Sequence, residues 1–195
     1  MRRARLILAL ATSLLLAMHI PASAAQPERA DVMDQGGEAV YAPDGAQLVR
    51  QAIGIAVSVR MPTPEPGSYL YPDGTEPGHP EVFTLWMFVF NHPEHCTDPC
   101  GPDDMTNPDV EFGVYNPAGH VAADGTLTLT GRIGVGDTAG APPGITPHDL
   151  SNPAGAEVHL AVTSHGGLDP TTLPNEFHIP TGSGACGCWW IALFD

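Results

Sequence analysis

The chain has 195 residues, with 22 Asp and Glu against seven basic residues, all arginine, so its formal charge at pH 7 is −15. Such an acidic chain excludes nucleic acid as a partner, because phosphates require a basic footprint, and it argues against recruitment to an anionic bilayer surface. A hydrophobic content of 43% excludes global disorder.

The N-terminus has the three parts of a secretory signal peptide. Arg2, Arg3 and Arg5 precede an apolar run over residues 6–17, and small residues at 22–24 form an A-x-A cleavage site. Cleavage there leaves 171 residues with a formal charge near −18. The apolar run is too short for a membrane span, and no cysteine lies near the cleavage site. We therefore expect a secreted protein without membrane insertion or lipid anchor, exported by either the Sec or the twin-arginine route.

Residues 25–47 are rich in acids and glycine and show no sustained apolar period. This composition predicts an acidic, mobile leader. The remaining residues, 48–195, are predicted to form a single β domain, since a chain of this length leaves little room for two domains.

Short strands are predicted along the rest of the chain. Residues 53–60 alternate apolar and small or polar positions, which is typical of a strand with one buried face. Residues 82–90 are apolar at almost every position, which predicts a strand buried on both faces. Further strands are predicted at 110–115, 126–132, 156–163, 176–179 and 189–194. Without any helical period, this pattern predicts an all-β fold, an antiparallel β-sandwich or alternatively a β-barrel, with long Pro/Gly-rich loops such as 62–80.

Four cysteines form two close pairs, Cys96 with Cys100 and Cys186 with Cys188. In an oxidising compartment they predict disulfides, and spacing alone allows either local or crossed pairing. Two alternatives remain open. Cys186 and Cys188 could exchange thiols as a strained pair, or all four cysteines could bind a metal ion, although the spacing is not that of a zinc knuckle.

Histidines and acids suggest a possible metal site. His92, Glu94 and His95 share a predicted tight turn, and Glu157 and His159 lie on one face of a strand that ends near His165. A subset of the six could bind zinc or copper. The alternative is that these histidines are solvated or hydrogen-bonded polar residues. The sequence favours no particular cofactor.

Two other chemistries have weaker support. Asp98, Asp103, Asp104 and Asp109 suit calcium in composition but fail the EF-hand pattern. For acyl transfer no G-x-S-x-G motif occurs. Neighbouring Ser164 and His165 point to opposite faces of a strand, so they cannot act together as nucleophile and base.

Two segments carry a resemblance. Residues 88–96 with Cys100, and residues 152–166, resemble a group of secreted bacterial proteins with an FNxPxxC…C element and an AEVHLxxxxHG element. The resemblance covers roughly residues 80–166 and implies no activity. The strand around His159 is also distantly similar to extracellular chordin-type β domains.

The sequence thus predicts a secreted β domain with an extracellular binding or structural role rather than an enzyme. Its partner would be an extracellular protein, a glycan or a small molecule. The alternatives are a metal-binding protein or metalloenzyme that uses the histidines, and a secreted hydrolase with paired carboxylates.

Overall fold

The computed structural model describes residues 26–34, 37–64, 80–122, 124–178 and 189–195. Eight strands make up most of this part of the chain, and three short 3-10 helices lie in its loops. The strands are β1 Glu28–Met33, β2 Val40–Gln51, β3 Gly54–Pro62, β4 Glu81–Phe90, β5 Phe112–Ala122, β6 Thr126–Gly134, β7 Glu157–Gly167 and β8 Trp189–Phe194. The 3-10 helices are η1 Pro93–His95, η2 Pro102–Thr106 and η3 Asn175–His178. Among the described residues, no helix has the length and apolar character needed to cross a bilayer.

All eight strands belong to one antiparallel sheet in the order β5-β4-β7-β8-β1-β2-β3-β6. The sheet curls until its outermost strands, β5 and β6, lie against each other without a hydrogen-bonded ladder. At this seam, a Cβ added to Gly131 of β6 would lie 2.5 Å from Cβ of Pro117 in β5. Proline has no N–H to offer a neighbouring strand. The all-β antiparallel prediction is confirmed, and the arrangement is that of the barrel alternative with one unsealed seam.

The core fills the inside of the curled sheet. Alternation along β3 turns Ile55, Val57 and Val59 inward, where each is at most 5% exposed, and leaves Arg60 outside. The inner residues of the other strands, such as Leu85, join the same cluster. The period-two pattern therefore selects the inner face, as expected for a half-buried strand.

The strand predicted to be buried on both faces is β4, and its inner and outer residues are indeed mostly buried. Its inner residues face the core, while the loop that follows it folds back over its outer end. There Phe90 and Phe112 form a second apolar cluster with Val110 and Cys100. The nearly continuous apolar run at residues 82–90 thus reflects burial of both faces of the strand.

A disulfide closes the loop that covers β4. Cys96 and Cys100 are bonded, with their Cα atoms 5.0 Å apart, so the local pairing is the one formed. Cys186 and Cys188 lie outside the described residues.

Two segments differ from the sequence-based predictions. The acidic segment 25–47 was expected to lie outside the β domain, but it supplies β1 and the first half of β2. Its alternation is hidden by register shifts in the β1–β2 ladder and by Asp44, which has a φ of 48°. Residues 176–179 were predicted to be a strand, but residues 175–178 form η3. Pro174, immediately before it, has the fixed φ that suits the start of a helical turn.

Candidate functional site: an apolar groove on the outer face of the sheet

Apolar side chains line the outside of the sheet where β4, β7 and β8 run side by side. Phe88 of β4, Ala161 of β7, and Trp189 and Ile191 of β8 all point away from the core, since their chain neighbours point into it. We call this surface the outer groove. An apolar stripe on the outside of a barrel-like sheet is unusual, because that side normally carries polar residues.

The outer groove has two lobes that share Phe88 and Trp189. The first lobe has a volume of about 390 Å³ and runs toward the disulfide loop. The second, about 410 Å³, runs toward residues 140–143 and His178. Besides the shared pair, the first lobe is lined by Met33, Gly37, Phe90, Cys100, Gly101, Pro102, Met105, His159, Ala161, Ile191 and Leu193.

Aromatic rings form the floor of the groove. The ring centroid of Phe88 lies 6.0 Å from that of Trp189 and 6.3 Å from that of Phe112. Phe90 lies 5.0 Å from Phe112 and 5.1 Å from the imidazole of His159. These separations are in the range of favourable aromatic pairs, so the floor is held in place by its own ring contacts.

His159 is the ionisable side chain among the described residues that line the first lobe, and Glu157 orients it. Nε2 of His159 lies 2.6 Å from Oε1 of Glu157, whose side chain is only 6% exposed. The same oxygen accepts a hydrogen bond from the backbone N–H of Cys100 at 2.9 Å. Glu157 therefore ties the disulfide loop, β7 and His159 together. When a neutral imidazole donates to a carboxylate through one nitrogen, the other is left to accept a hydrogen bond.

His165, predicted as a ligand on the same strand face, lies at the far end of β7. Six residues of extended strand place it roughly 20 Å from His159. Its Nε2 shares a hydrogen bond of 2.8 Å with Oγ1 of Thr84, which in turn bonds Oγ1 of Thr163. Burial lowers the pKa of His165. His165 is thus a buried, hydrogen-bonded histidine rather than a partner of His159.

The turn after β4 does bring His92, Glu94 and His95 together, as their spacing predicts. The two imidazole centroids are 6.3 Å apart, and Nδ1 of His92 lies 3.2 Å from Oε1 of Glu94. Nε2 of His92 faces Glu111 at 3.6 Å. Glu94 is fully exposed, and its pKa is lowered, first by a backbone hydrogen bond and then by His92. This cluster is a group of polar side chains in contact at the surface around η1.

Across the described residues, no group of three or more His, Cys, Asp or Glu side chains is arranged so that it could hold a metal ion. The proposed calcium ligands Asp98, Asp103, Asp104 and Asp109 therefore do not form such a group either. Asp104 has a structural role instead: its two carboxylate oxygens accept the backbone N–H groups of Thr97 and Gly101 at 3.1 and 2.8 Å. It therefore braces the disulfide loop.

Sequence reasoning identified His159 and Glu157 but missed the apolar side of the site. Residues 189–194 contained a signal, because every position of that strand is apolar or aromatic, on both faces. That β4, β7 and β8 lie side by side could not be predicted, since these strands are far apart along the chain.

No protein-family model matches the chain, and neither a curated protein nor a solved structure is significantly similar to it. Proposals about function therefore depend on the geometry of the molecule.

Proposed function

We propose that this is an extracellular binding protein that holds a small, largely apolar ligand in the outer groove. The observation that carries the proposal is the pair of adjoining apolar lobes floored by Phe88 and Trp189. The Cys96–Cys100 disulfide supports an oxidising compartment, and with it the secretion expected from residues 1–24.

The size and lining of the groove support a small-molecule ligand. Each lobe lies within the roughly 300–1,000 Å³ that ligand pockets span, and apolar walls with a few placed polar groups are their usual composition. His159, oriented by Glu157, would supply the polar contact. We infer a ligand with a flat apolar body and one hydroxyl or amine group that meets the imidazole.

Binding fits this lining better than hydrolysis does. Among the described residues that line the two lobes there is no serine or threonine, and Cys100 is held in a disulfide. A carboxylate–imidazole pair catalyses acyl transfer when a nucleophile lies within hydrogen-bond reach of the imidazole. In the described lining, the pair has an aromatic ring, Phe90, beside it instead.

The proposal is tested by titrating the full chain with N-phenyl-1-naphthylamine, a neutral apolar fluorophore. Truncating a ring that packs on the ligand removes about 1.5–3 kcal/mol, so Phe88→Ala and Trp189→Ala should each raise Kd at least about tenfold. Ile53→Ala is the matched control, because Ile53 is an exposed apolar residue, 65% accessible, outside the described lining of the groove. Equal affinity of Phe88→Ala and the wild type, or an equal loss in Ile53→Ala, would overturn the proposal.

A second titration tests the role of His159. His159→Phe keeps the lining apolar but removes the polar contact. It should weaken 1-naphthol severalfold and leave naphthalene unchanged, since only the former carries a hydroxyl group. If both compounds lose affinity equally, the imidazole contributes shape rather than a hydrogen bond, and the inferred ligand chemistry is wrong.

A further inference from the structure

The other half of the barrel has an outer face of opposite character. Strand register places Arg29 of β1 opposite Gln47 of β2, Gln47 opposite Ser58 of β3, and Ser58 opposite Thr130 of β6. Residues paired in this way share one side of the sheet. This row of four polar side chains crosses four strands on the outside of the barrel.

Two more arginines extend the row along the strands. Arg60 pairs with Thr128, and Arg132 pairs with Ala56. Arg60, Thr128 and Arg132 are all exposed, while the inward-facing residues next to them, Val59, Leu127 and Ile133, are buried. We call this surface the arginine face. It has the guanidinium groups of Arg29, Arg60 and Arg132 among hydroxyl and amide side chains.

Within the described part of the chain, the three arginines of this face form no ion pairs. Among the described residues, only Arg50 of the four arginines forms an ion pair, with Glu28, although the whole chain has 22 acids. Arg29, Arg60 and Arg132 have no carboxylate within ion-pair distance in that part of the chain. Exposed arginines that have no ion-pair partner among the described residues give this face a local positive field, which a ligand of opposite charge can use.

A shallow depression of about 460 Å³ lies between two of these arginines. Arg29 and Arg60 line it together with Gln47, Ser58 and Asp44. From strand spacing, the Cα atoms of Arg29 and Arg60 are about 12 Å apart, two strands across and two residues along. Two long side chains over that distance can both reach one bound molecule.

We propose that the arginine face binds an acidic glycan, a sugar chain with carboxylate or sulfate groups. Guanidinium groups bind planar oxyanions with two parallel hydrogen bonds. The hydroxyl and amide groups of Ser58, Thr130 and Gln47 can pair with sugar hydroxyls, as both donors and acceptors. Asp44 and the strongly negative remainder of the protein disfavour a densely charged polymer, whereas a sugar chain with anionic groups at intervals meets the arginines locally. This inference is independent of the outer groove.

The test is calorimetric titration of the full chain with chondroitin sulfate oligosaccharides in 50 mM salt, with dextran oligosaccharides of equal length as the neutral comparison. Binding of the acidic sugar alone is expected. The double variant Arg29→Gln/Arg60→Gln should bind at least tenfold more weakly, and its dependence of log K on log salt should be shallower by about 2. Arg60→Lys keeps the charge but loses the two parallel hydrogen bonds of a guanidinium group. Its affinity should lie between those of the wild type and the double variant.

Asn175→Asp is a control for a change of net charge elsewhere, half that of the double variant, because it adds one negative charge at exposed Asn175 of η3, which packs against β4 and β5. It should bind like the wild type, and the melting temperature of each variant shows that the fold is intact. The inference is overturned if dextran binds equally well, if the double variant with an intact fold binds as tightly as the wild type, or if Asn175→Asp loses as much affinity as the double variant.

Discussion

Arg50 is the one described arginine that the fold uses internally, and its replacement should destabilise the protein clearly. Its side chain is 13% exposed at the end of β2. Nε lies 2.8 Å from Oε1 of Glu28 in β1, one terminal nitrogen donates to the carbonyl of Ala156 just before β7, and the other donates to the main-chain oxygen of Asp195 after β8. One guanidinium thus joins four parts of the barrel.

The size of the effect follows from the exposure of each partner. Ala156 is fully buried, so its carbonyl loses a hydrogen bond to a charged group, which contributes about 1.5–3 kcal/mol. Glu28 is 39% exposed, so that ion pair adds only about 0.2–1 kcal/mol. We expect Arg50→Ala to lower the free energy of unfolding by about 2–4 kcal/mol, which at this chain length lowers Tm by at least about 5 °C.

Urea unfolding followed by tryptophan fluorescence measures the change in the free energy of unfolding. Arg50→Lys should lose about half as much, since an ammonium group can keep one partner but cannot span three. Arg132→Ala is the control, because Arg132 is exposed and without an ion pair among the described residues, and it should stay within about 0.5 kcal/mol of the wild type. If Arg50→Ala is no more destabilised than Arg132→Ala, the reasoning is refuted.

Three further predictions concern buried polar groups. Burial raises the pKa of Glu81 from 4.5 to about 7, so the folded protein favours the neutral carboxyl group. The free energy of unfolding should therefore fall as pH rises from about 4.5 to 7. The urea midpoint of Glu81→Gln, measured over the same pH range, should not show this fall. Burial lowers the pKa of His165 below 6.5, so stability should fall as pH drops through that value, and His165→Asn should remove this acid-side loss in the same titration. Nε1 of Trp86 is buried without a hydrogen-bond partner among the described residues, so Trp86→Phe should leave the free energy of unfolding unchanged or raise it by up to about 1 kcal/mol. Trp190→Phe, which disturbs ring contacts in the core, should lower it; if Trp86→Phe is equally destabilised, the buried N–H carries no penalty.

Strands with a regular pattern could be predicted from the sequence, and those with an interrupted pattern could not. β3, β4, β6 and the first part of β7, as far as Thr163, alternate or run apolar, so their positions follow from periodicity alone. β1 and β2 contain register shifts, the Pro43-Asp44-Gly45 kink and outward acids. Each feature is typical of a loop in isolation, and it is pairing with neighbouring strands that makes these residues extended.

The candidate site was predictable in its polar residues but not in its shape. Glu157 and His159 lie two positions apart on a strand. Strand geometry alone therefore places their side chains next to each other on one face. The contact between Glu157 and Cys100 joins residues 57 positions apart, and it depends on how the disulfide loop folds over β4. The aromatic floor likewise depends on strand order, which local patterns do not encode.

The position of β8 has a consequence for how the barrel is assembled. This strand, the last of the eight along the chain, lies between β7 and β1, so it joins one half-sheet, β5-β4-β7, to the other, β1-β2-β3-β6. Until residues 189–194 are available, each half has its own hairpins but no partner for its inner edge strand. Closing contacts between such distant segments is slow compared with forming local hairpins. The two surfaces proposed for ligands lie mainly on different halves, so the pairing of β8 with both β7 and β1 sets their relative position within the sheet.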